Sequence, residues 1–331
     1  MRNNSDAVKL DLRETQIAIK SIKDYFQRDL ANTLNLARVS APLFVRPETG
    51  LNDNLNGEKA VNFALRHYGT NVEIVQSLAK WKRNALKEYG FSIYEGIYAD
   101  MNAIRAEEDL DEIHSAYVDQ WDWEKIIKKE DRNSDYLKLV VKEIYSSFKR
   151  CEEFINQVYP YVLKKKLPDE IHFITSQELE DLYPSFDDKE RERAISKEYG
   201  AVFIQGIGKK LKSGKPHDSR SPDYDDWDLN GDIIFWNPTL NNSLEVSSMG
   251  IRVDEEKIVE QCREKNLEER LELPYHQAVI ERRLPYTIGG GIGQSRICMF
   301  FLEKRHIGEV QAGVWDEETI DHANKLGIKL L

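Results

Sequence analysis

The chain has 331 residues, 40% of them apolar and 32% charged, with six Trp and a formal net charge of −11. That length holds one large domain or two ordinary ones, and the composition is that of a globular chain that folds by itself rather than a disordered or fibrous one. The acidic balance argues against nucleic acid as a partner, since proteins that bind a phosphate backbone carry a basic face. No apolar stretch reaches the ~20 residues of a membrane span, and the segment from Met1 to Asp6 lacks the apolar core of a signal peptide, so no membrane partner and a cytoplasmic location are expected. Cys151, Cys262 and Cys298 are widely separated and form no CxxC spacing, which supports neither a disulfide framework nor a zinc site.

In chain order, residues 15–34 set Ile17, Ile19, Ile22, Tyr25, Phe26 and Leu30 at three- and four-residue steps, the spacing of an amphipathic helix. Residues 37–45, short and interrupted by Pro42, predict an extended edge segment, and residues 52–57 a turn. Residues 71–75 predict a strand and residues 77–86 a helix opened by Ser77. Residues 96–105 and 115–123 predict a hairpin whose tip, residues 106–111, is acidic. Helices are expected at 136–158 and 178–197, and strands at the apolar runs 171–174, 201–206, 233–236 and 244–246. These strands are not separated by regular helices. The expectation is therefore an α+β fold, an antiparallel sheet with helices packed on it, rather than a doubly wound parallel sheet. No repeat or linker divides residues 1–331, so one domain is expected, with residues 209–228, polar and rich in Gly, Pro and Asp, as a mobile loop beside a site.

Three constellations carry chemistry. Gly289-Gly290-Gly291-Ile292-Gly293-Gln294-Ser295-Arg296 is unsuited to an ordinary strand centre, and something must approach that backbone closely. It fits neither the dinucleotide fingerprint nor a phosphate loop, which leaves a nucleotide site of another kind or a tight packing turn. The apolar run 297–302 predicts a helix with Arg296 in its first turn, where a guanidinium stacks on a base or pairs with a phosphate. In the hairpin, Arg105 at a strand end is a candidate clamp for an α-phosphate, while Gln120, Asp122 and Glu124 share one strand face. Taken alone, that hairpin reads better as a solvated acidic one. Asp232 and Glu245 flank apolar strand residues and would either hold Mg²⁺ across neighbouring strands or pair with basic residues.

In this order the three segments resemble the motifs of class II aminoacyl-tRNA synthetases. Ile104-Arg105-Ala106-Glu107 with its hairpin is similar to motif 2, and residues 289–296 with the following helix to motif 3. The stretch from Gln76-Ser77 to Lys82 resembles a segment of the aspartate and asparagine enzymes. Over nearly its whole length the chain resembles the ammonia-dependent aspartate-ammonia ligases, the A-type asparagine synthetases. The stretches that carry this are 77–83, Tyr117-Val118-Asp119-Gln120-Trp121-Asp122-Trp123-Glu124, 222–227 and 247–254.

The resemblance implies an eight-stranded or similar antiparallel sheet flanked by helices, a homodimer, and ATP-dependent synthesis of asparagine from aspartate and ammonia, with Mg²⁺ as cofactor and AMP and pyrophosphate as products. It implies that Arg105, Arg296, Asp53 and Gln120 are catalytic and that Ser77, Lys82, Asp122, Asp225, Ser248 and Arg252 bind aspartate. Arg105, Ser115, Val118, Asp232, Gly291, Gly293 and Arg296 would line the nucleotide site, and Asp232 and Glu245 would hold the metal. The closest rival is a tRNA-charging enzyme, which normally needs an anticodon-reading module and a basic RNA face.

Overall fold

The computed structural model describes residues 10–53, 59–67 and 69–331; the expected leaderless N-terminus and most of the expected turn at 52–57 lie outside them. In chain order the elements are α1 (Leu12–Leu34), β1 (Leu36–Arg38), β2 (Phe44–Val45), β3 (Asn62–Leu65), β4 (Thr70–Ile74), α2 (Ala79–Glu88), β5 (Gly96–Ile104), β6 (Tyr117–Ile126), α3 (Ser134–Val158) and β7 (His172–Thr175). There follow α4 (Ser176–Leu182), α5 (Asp188–Tyr199), β8 (Ala201–Gln205), β9 (Asp225–Asn237), β10 (Asn242–Arg252), α6 (Lys257–Glu264), α7 (Pro274–Ile280), β11 (Thr287–Gly293), α8 (Gln294–Phe301) and α9 (Glu317–Lys325).

Eight strands form the main sheet in the order β1-β5-β6-β11-β10-β9-β8-β7, and β2-β4-β3 form a small separate one. The pairs from β5 across to β8 are antiparallel, but β1 with β5 and β7 with β8 are parallel. The sheet is therefore mixed at its edges, where an antiparallel sheet was expected. Parallel neighbours need a crossover, and α4 and α5 supply it between β7 and β8. No helix among the described residues is long and apolar enough to cross a membrane.

Local sequence explains most helix boundaries. Asp11 and Glu14 cap α1 reciprocally, and the Asn133 side chain accepts from Tyr136 N–H to open α3. The helix expected over 178–197 is two helices, because Pro184 falls between them and Asp187 starts α5 with its own capping box to Glu190. One face of the sheet, with Trp121, Trp123, Ile233 and Phe235, packs on Phe26 of α1, Phe148 of α3 and Phe300 of α8, all at most 1% exposed. Ring centroids lie 5.0 Å apart for Phe26 with Trp121 and with Phe148, and 5.1 Å for Phe148 with Phe235. Burying each such side chain contributes about 1.5–3 kcal/mol. That leaves the opposite face of the same strands to carry polar groups.

Candidate active site

The glycine run is strand β11, in the middle of the sheet between β6 and β10, and not the tight packing turn that was one of its two readings. Its neighbours explain the glycines. Gly289 is across from Glu124 and Gly291 across from Asp122. A Cβ at Gly289 would overlap the Glu124 carboxylate and stand 2.6 Å from Arg252 Nη2; at Gly291 it would overlap Gln120 Oε1. On the other face, a Cβ at Gly290 would come within 2.6 Å of Met249 Cβ. The strand is a shallow trough in which side chains of β6 and β10 lie down.

A chain of buried charges fills the trough. Lys82, from α2, donates to Asp122 Oδ1 at 2.6 Å and to the Gly290 carbonyl at 3.1 Å, and lies 3.9 Å from Glu124 Oε2. Arg252 donates through Nε and Nη2 to Glu124 at 2.9 and 2.7 Å, and through Nη1 to Asp225. These five side chains are between 0% and 4% exposed. Burial pushes Lys82 below the usual lysine range against the pull of Asp122 and Glu124. Burial alone would raise Glu124, but Arg252 outweighs it and holds the carboxyl below its ordinary value. Two cations meet three carboxylates here, so one negative charge is in surplus, and Asp122 Oδ2 is a buried acceptor with no hydrogen-bond partner among the described residues. Arg252 was expected to grip a substrate carboxylate. Three of its five N–H groups are instead given to Glu124 and Asp225.

Beside the trough lies a cavity of about 340 Å³. Of the expected residues, Arg105, Ser115, Val118, Gln120, Glu245, Ser248, Gly291, Gly293 and Arg296 line it, while Asp232 sits just behind, bound by Arg220 at 2.6 Å. Arg296 Nη1 donates to the Glu245 carbonyl at 3.0 Å, and Arg105 Nη1 is 3.3 Å from Glu108. Lys189 and Arg220, which the sequence reading missed, complete a ring of four cations with Arg105 and Arg296. Burial would raise Glu245, but Arg296, Lys189, Arg220 and Arg105 together hold it below its ordinary value. Asp232 is pushed up to about 7 by burial, which the Arg220 guanidinium only partly offsets while Glu245 and Asp218 add to it. Among the described residues no three Asp, Glu, His or Cys side chains gather to hold a metal. A divalent ion at Asp232 and Glu245 would thus share its coordination with phosphate oxygens, the usual manner for Mg²⁺. Asp232, short of positive charge, fits such an ion.

Arg220 lies in the polar segment 209–228, whose composition did point to a site, whereas Lys189 sits on a charged helix with no signal of its own. The segment is pinned: Trp227 Nε1 donates to the Ser221 carbonyl at 3.3 Å, and Gln261 Nε2 to the carbonyls of Pro222 and Asp225 at 2.9 and 2.8 Å. Residues 225–228 belong to β9, a strand start hidden in the sequence because Asp225 and Asp226 are charged. They tolerate burial by pairing with Arg252 and Arg132.

Asp53 falls in a second cavity of about 380 Å³, with Asn52, Lys80, Asp223, Arg270 and His276. Burial raises its carboxyl, with Lys80 opposing. The two cavities share a wall: Ser221 lines the first and donates to Asp223 Oδ1 at 2.8 Å, and Asp223 lines the second. Ser77 lies outside both cavities, half-buried ahead of α2, where its Oγ accepts the Ala79 N–H at 3.1 Å.

A family model described as aspartate-ammonia ligase matches residues 13–327. The aspartate--ammonia ligases of Clostridium tetani and Fusobacterium nucleatum are 60% and 62% identical to this chain, covering 98% and 97% of it and 95% and 98% of their own lengths. That of Levilactobacillus brevis is 55% identical over 98% of this chain and 97% of its own. Among solved structures, asparaginyl-tRNA synthetase from Pyrococcus horikoshii complexed with asparaginyl-adenylate superposes with a TM-score of 0.65 at 16% identity, over 90% of this chain and 68% of its own. Aspartyl-tRNA synthetase from Entamoeba histolytica gives 0.59 at 17%, over 94% of this chain and 63% of its own. Those two likenesses speak to the fold, which is the class II synthetase α+β fold. With the family model matched almost end to end and relatives more than half identical, the chain belongs to the aspartate-ammonia ligase family.

Proposed function

We propose that the protein makes L-asparagine from L-aspartate, ammonia and ATP, forming the amide C–N bond through a β-aspartyl-adenylate and releasing AMP and pyrophosphate. The observation that carries this reading is the buried Lys82-Asp122-Glu124-Arg252-Asp225 chain lying against a cavity ringed by four cations. One half suits a zwitterionic amino acid and the other a triphosphate. The relatives' shared name supports the same reaction.

A free carboxylate is too poor an electrophile for ammonia, so aspartate's β-carboxylate first attacks the α-phosphorus. Arg105 and Arg296 face the charge that develops there, preorganised at the end of β5 and in the first turn of α8. The substrate α-ammonium meets Asp122 Oδ2 and the surplus negative charge of the trough. Lys82 and the two remaining N–H groups of Arg252 face carboxylate oxygens. Gln120 and Ser248 complete the polar lining, while Ser77 stays outside it, and Ser115, Val118, Gly291 and Gly293 wall the nucleotide. Asp232 and Glu245 would hold Mg²⁺, which would supply charge stabilisation for the pyrophosphate leaving group. Asp53, in the second cavity, serves the nitrogen substrate.

We further propose that residues 1–331 act as one catalytic domain, and that the chain is a cytoplasmic homodimer with neither a nucleic acid nor a membrane partner. Light scattering of the purified protein tests the assembly. The function is tested by incubating pure protein with ATP, Mg²⁺, aspartate and ammonium and measuring asparagine and AMP. Charging of tRNA in place of asparagine formation would favour a synthetase instead.

A further inference from the structure

The second cavity holds a group that the proposed adenylation step leaves unused. His276, on α7, is fully buried and lines the cavity. Its Nε2 faces Asp223 Oδ2 at 2.9 Å, and its Nδ1 is buried with no hydrogen-bond partner among the described residues. A carboxylate at Nε2 fixes the proton there, which leaves the lone pair on Nδ1. Gly50 keeps the space beside that atom open, since a Cβ there would stand 3.3 Å from Nδ1. Lys80, at 2.9 Å from Asp223 Oδ2, and Arg270, at 3.3 Å, compete with the imidazole for the same carboxylate oxygen. The other charged groups lining the cavity are Asp53, Lys59 and Glu73. Burial, with Lys80 and Arg270, outweighs the pull of Asp223 and holds His276 below its ordinary value, so the ring is neutral at pH 7.

Neutral imidazole at a cavity wall, oriented by a buried carboxylate and keeping one ring nitrogen unpaired, is the arrangement of a general base. At neutral pH the nitrogen source is ammonium, which has no lone pair and must lose a proton before it attacks. We propose that His276 Nδ1 takes that proton from ammonium bound in the second cavity, and that Asp223 orients the ring and stabilises the imidazolium. The freed ammonia then forms the C–N bond at the β-acyl carbon as the C–O bond to AMP breaks, AMP leaving with the electron pair. The second ammonia proton and the proton on His276 both pass to water.

This inference rests on the adenylate reading, and the experiment separates the two. In His276→Gln the amide nitrogen keeps a donor for Asp223 but no base remains. Aspartate-dependent ATP–pyrophosphate exchange, which needs no nitrogen substrate, tests adenylation and folding together. It should stay within a few-fold of wild type. Asparagine formation from ammonium should fall by about 10²-fold or more, within the usual range for loss of a general base, and should rise with pH in proportion to free ammonia. Hydroxylamine, already neutral at neutral pH, should still give the hydroxamate at close to the wild-type rate. Equal loss of exchange, amide and hydroxamate would make His276 a positioning residue and overturn the proposal, as would an unchanged amide rate. Absence of exchange in the wild type would overturn the adenylate reading instead.

Discussion

Glu124 is the residue on which the trough depends most, and Glu124→Gln tests this with little change in volume. The carboxylate accepts from Arg252 Nε at 2.9 Å and Nη2 at 2.7 Å, lies 3.9 Å from Lys82 Nζ, and is fully buried. With glutamine, two guanidinium N–H donors face a neutral amide in a site water does not reach. Removing one partner of a buried pair costs about 3–5 kcal/mol. Glutamine keeps one acceptor and Asp225 still holds Nη1, so about 3 kcal/mol is expected, a large part of the ~5–15 kcal/mol available to a folded domain. At a slope of ~3 kcal/mol per molar urea, the unfolding midpoint drops by about 1 M with the slope unchanged. A cycle with Arg252→Gln should show coupling at the upper end of the ~0.5–3 kcal/mol found for contacting residues. A loss below about 1 kcal/mol, or additive single variants, would mean that the pair's desolvation cancels its attraction and that the trough is not organised by charge.

Arg105→Ala should leave the unfolding free energy in urea within about 0.5 kcal/mol of wild type, as a partly exposed side chain allows, while abolishing aspartate-dependent ATP–pyrophosphate exchange; retained exchange would remove Arg105 from the phosphate site. Gly291→Ala drives a methyl group into Gln120 Oε1 and to 3.4 Å from Asp122 Oδ2, so the KM for aspartate should rise at least tenfold, and an unchanged KM would place the amino acid elsewhere. Asp232 has a folded-state value near 7 against ~3.9 unfolded. The native state thus binds the extra proton, and this group's contribution is present below about pH 4 and is lost as pH rises through about 7. The nucleotide-free wild type should lose stability over that window while Asp232→Asn should not, so parallel pH profiles from thermal unfolding would refute the assignment.

Much of the fold was legible locally. The two-residue period of β6 put Gln120, Asp122 and Glu124 on one face and Trp121 and Trp123 on the other, which is how the structure divides them between trough and core. Asp11, Asn133, Pro184 and Asp187 set helix ends through local chemistry, but the sequence reading missed the break at Pro184 and Asp187 and expected one helix over residues 178–197. The start of β9 was not legible, because Asp225 and Asp226 read as loop until Arg252 and Arg132 are beside them. The glycine run misled in one respect: its closeness to other groups was apparent, but those groups are side chains of its own neighbouring strands.

Residue types and strand parity by themselves determined which side chains are able to carry charge on one face, and the family motifs pointed to the chemistry. The tertiary structure decided the pairings. Lys82 finds Asp122 across 40 residues, His276 finds Asp223 across 53 and Arg252 finds Glu124 across 128. Such pairs leave no local trace, because a buried charge is stable only beside its partner, and which partner that is depends on the order of strands in the sheet.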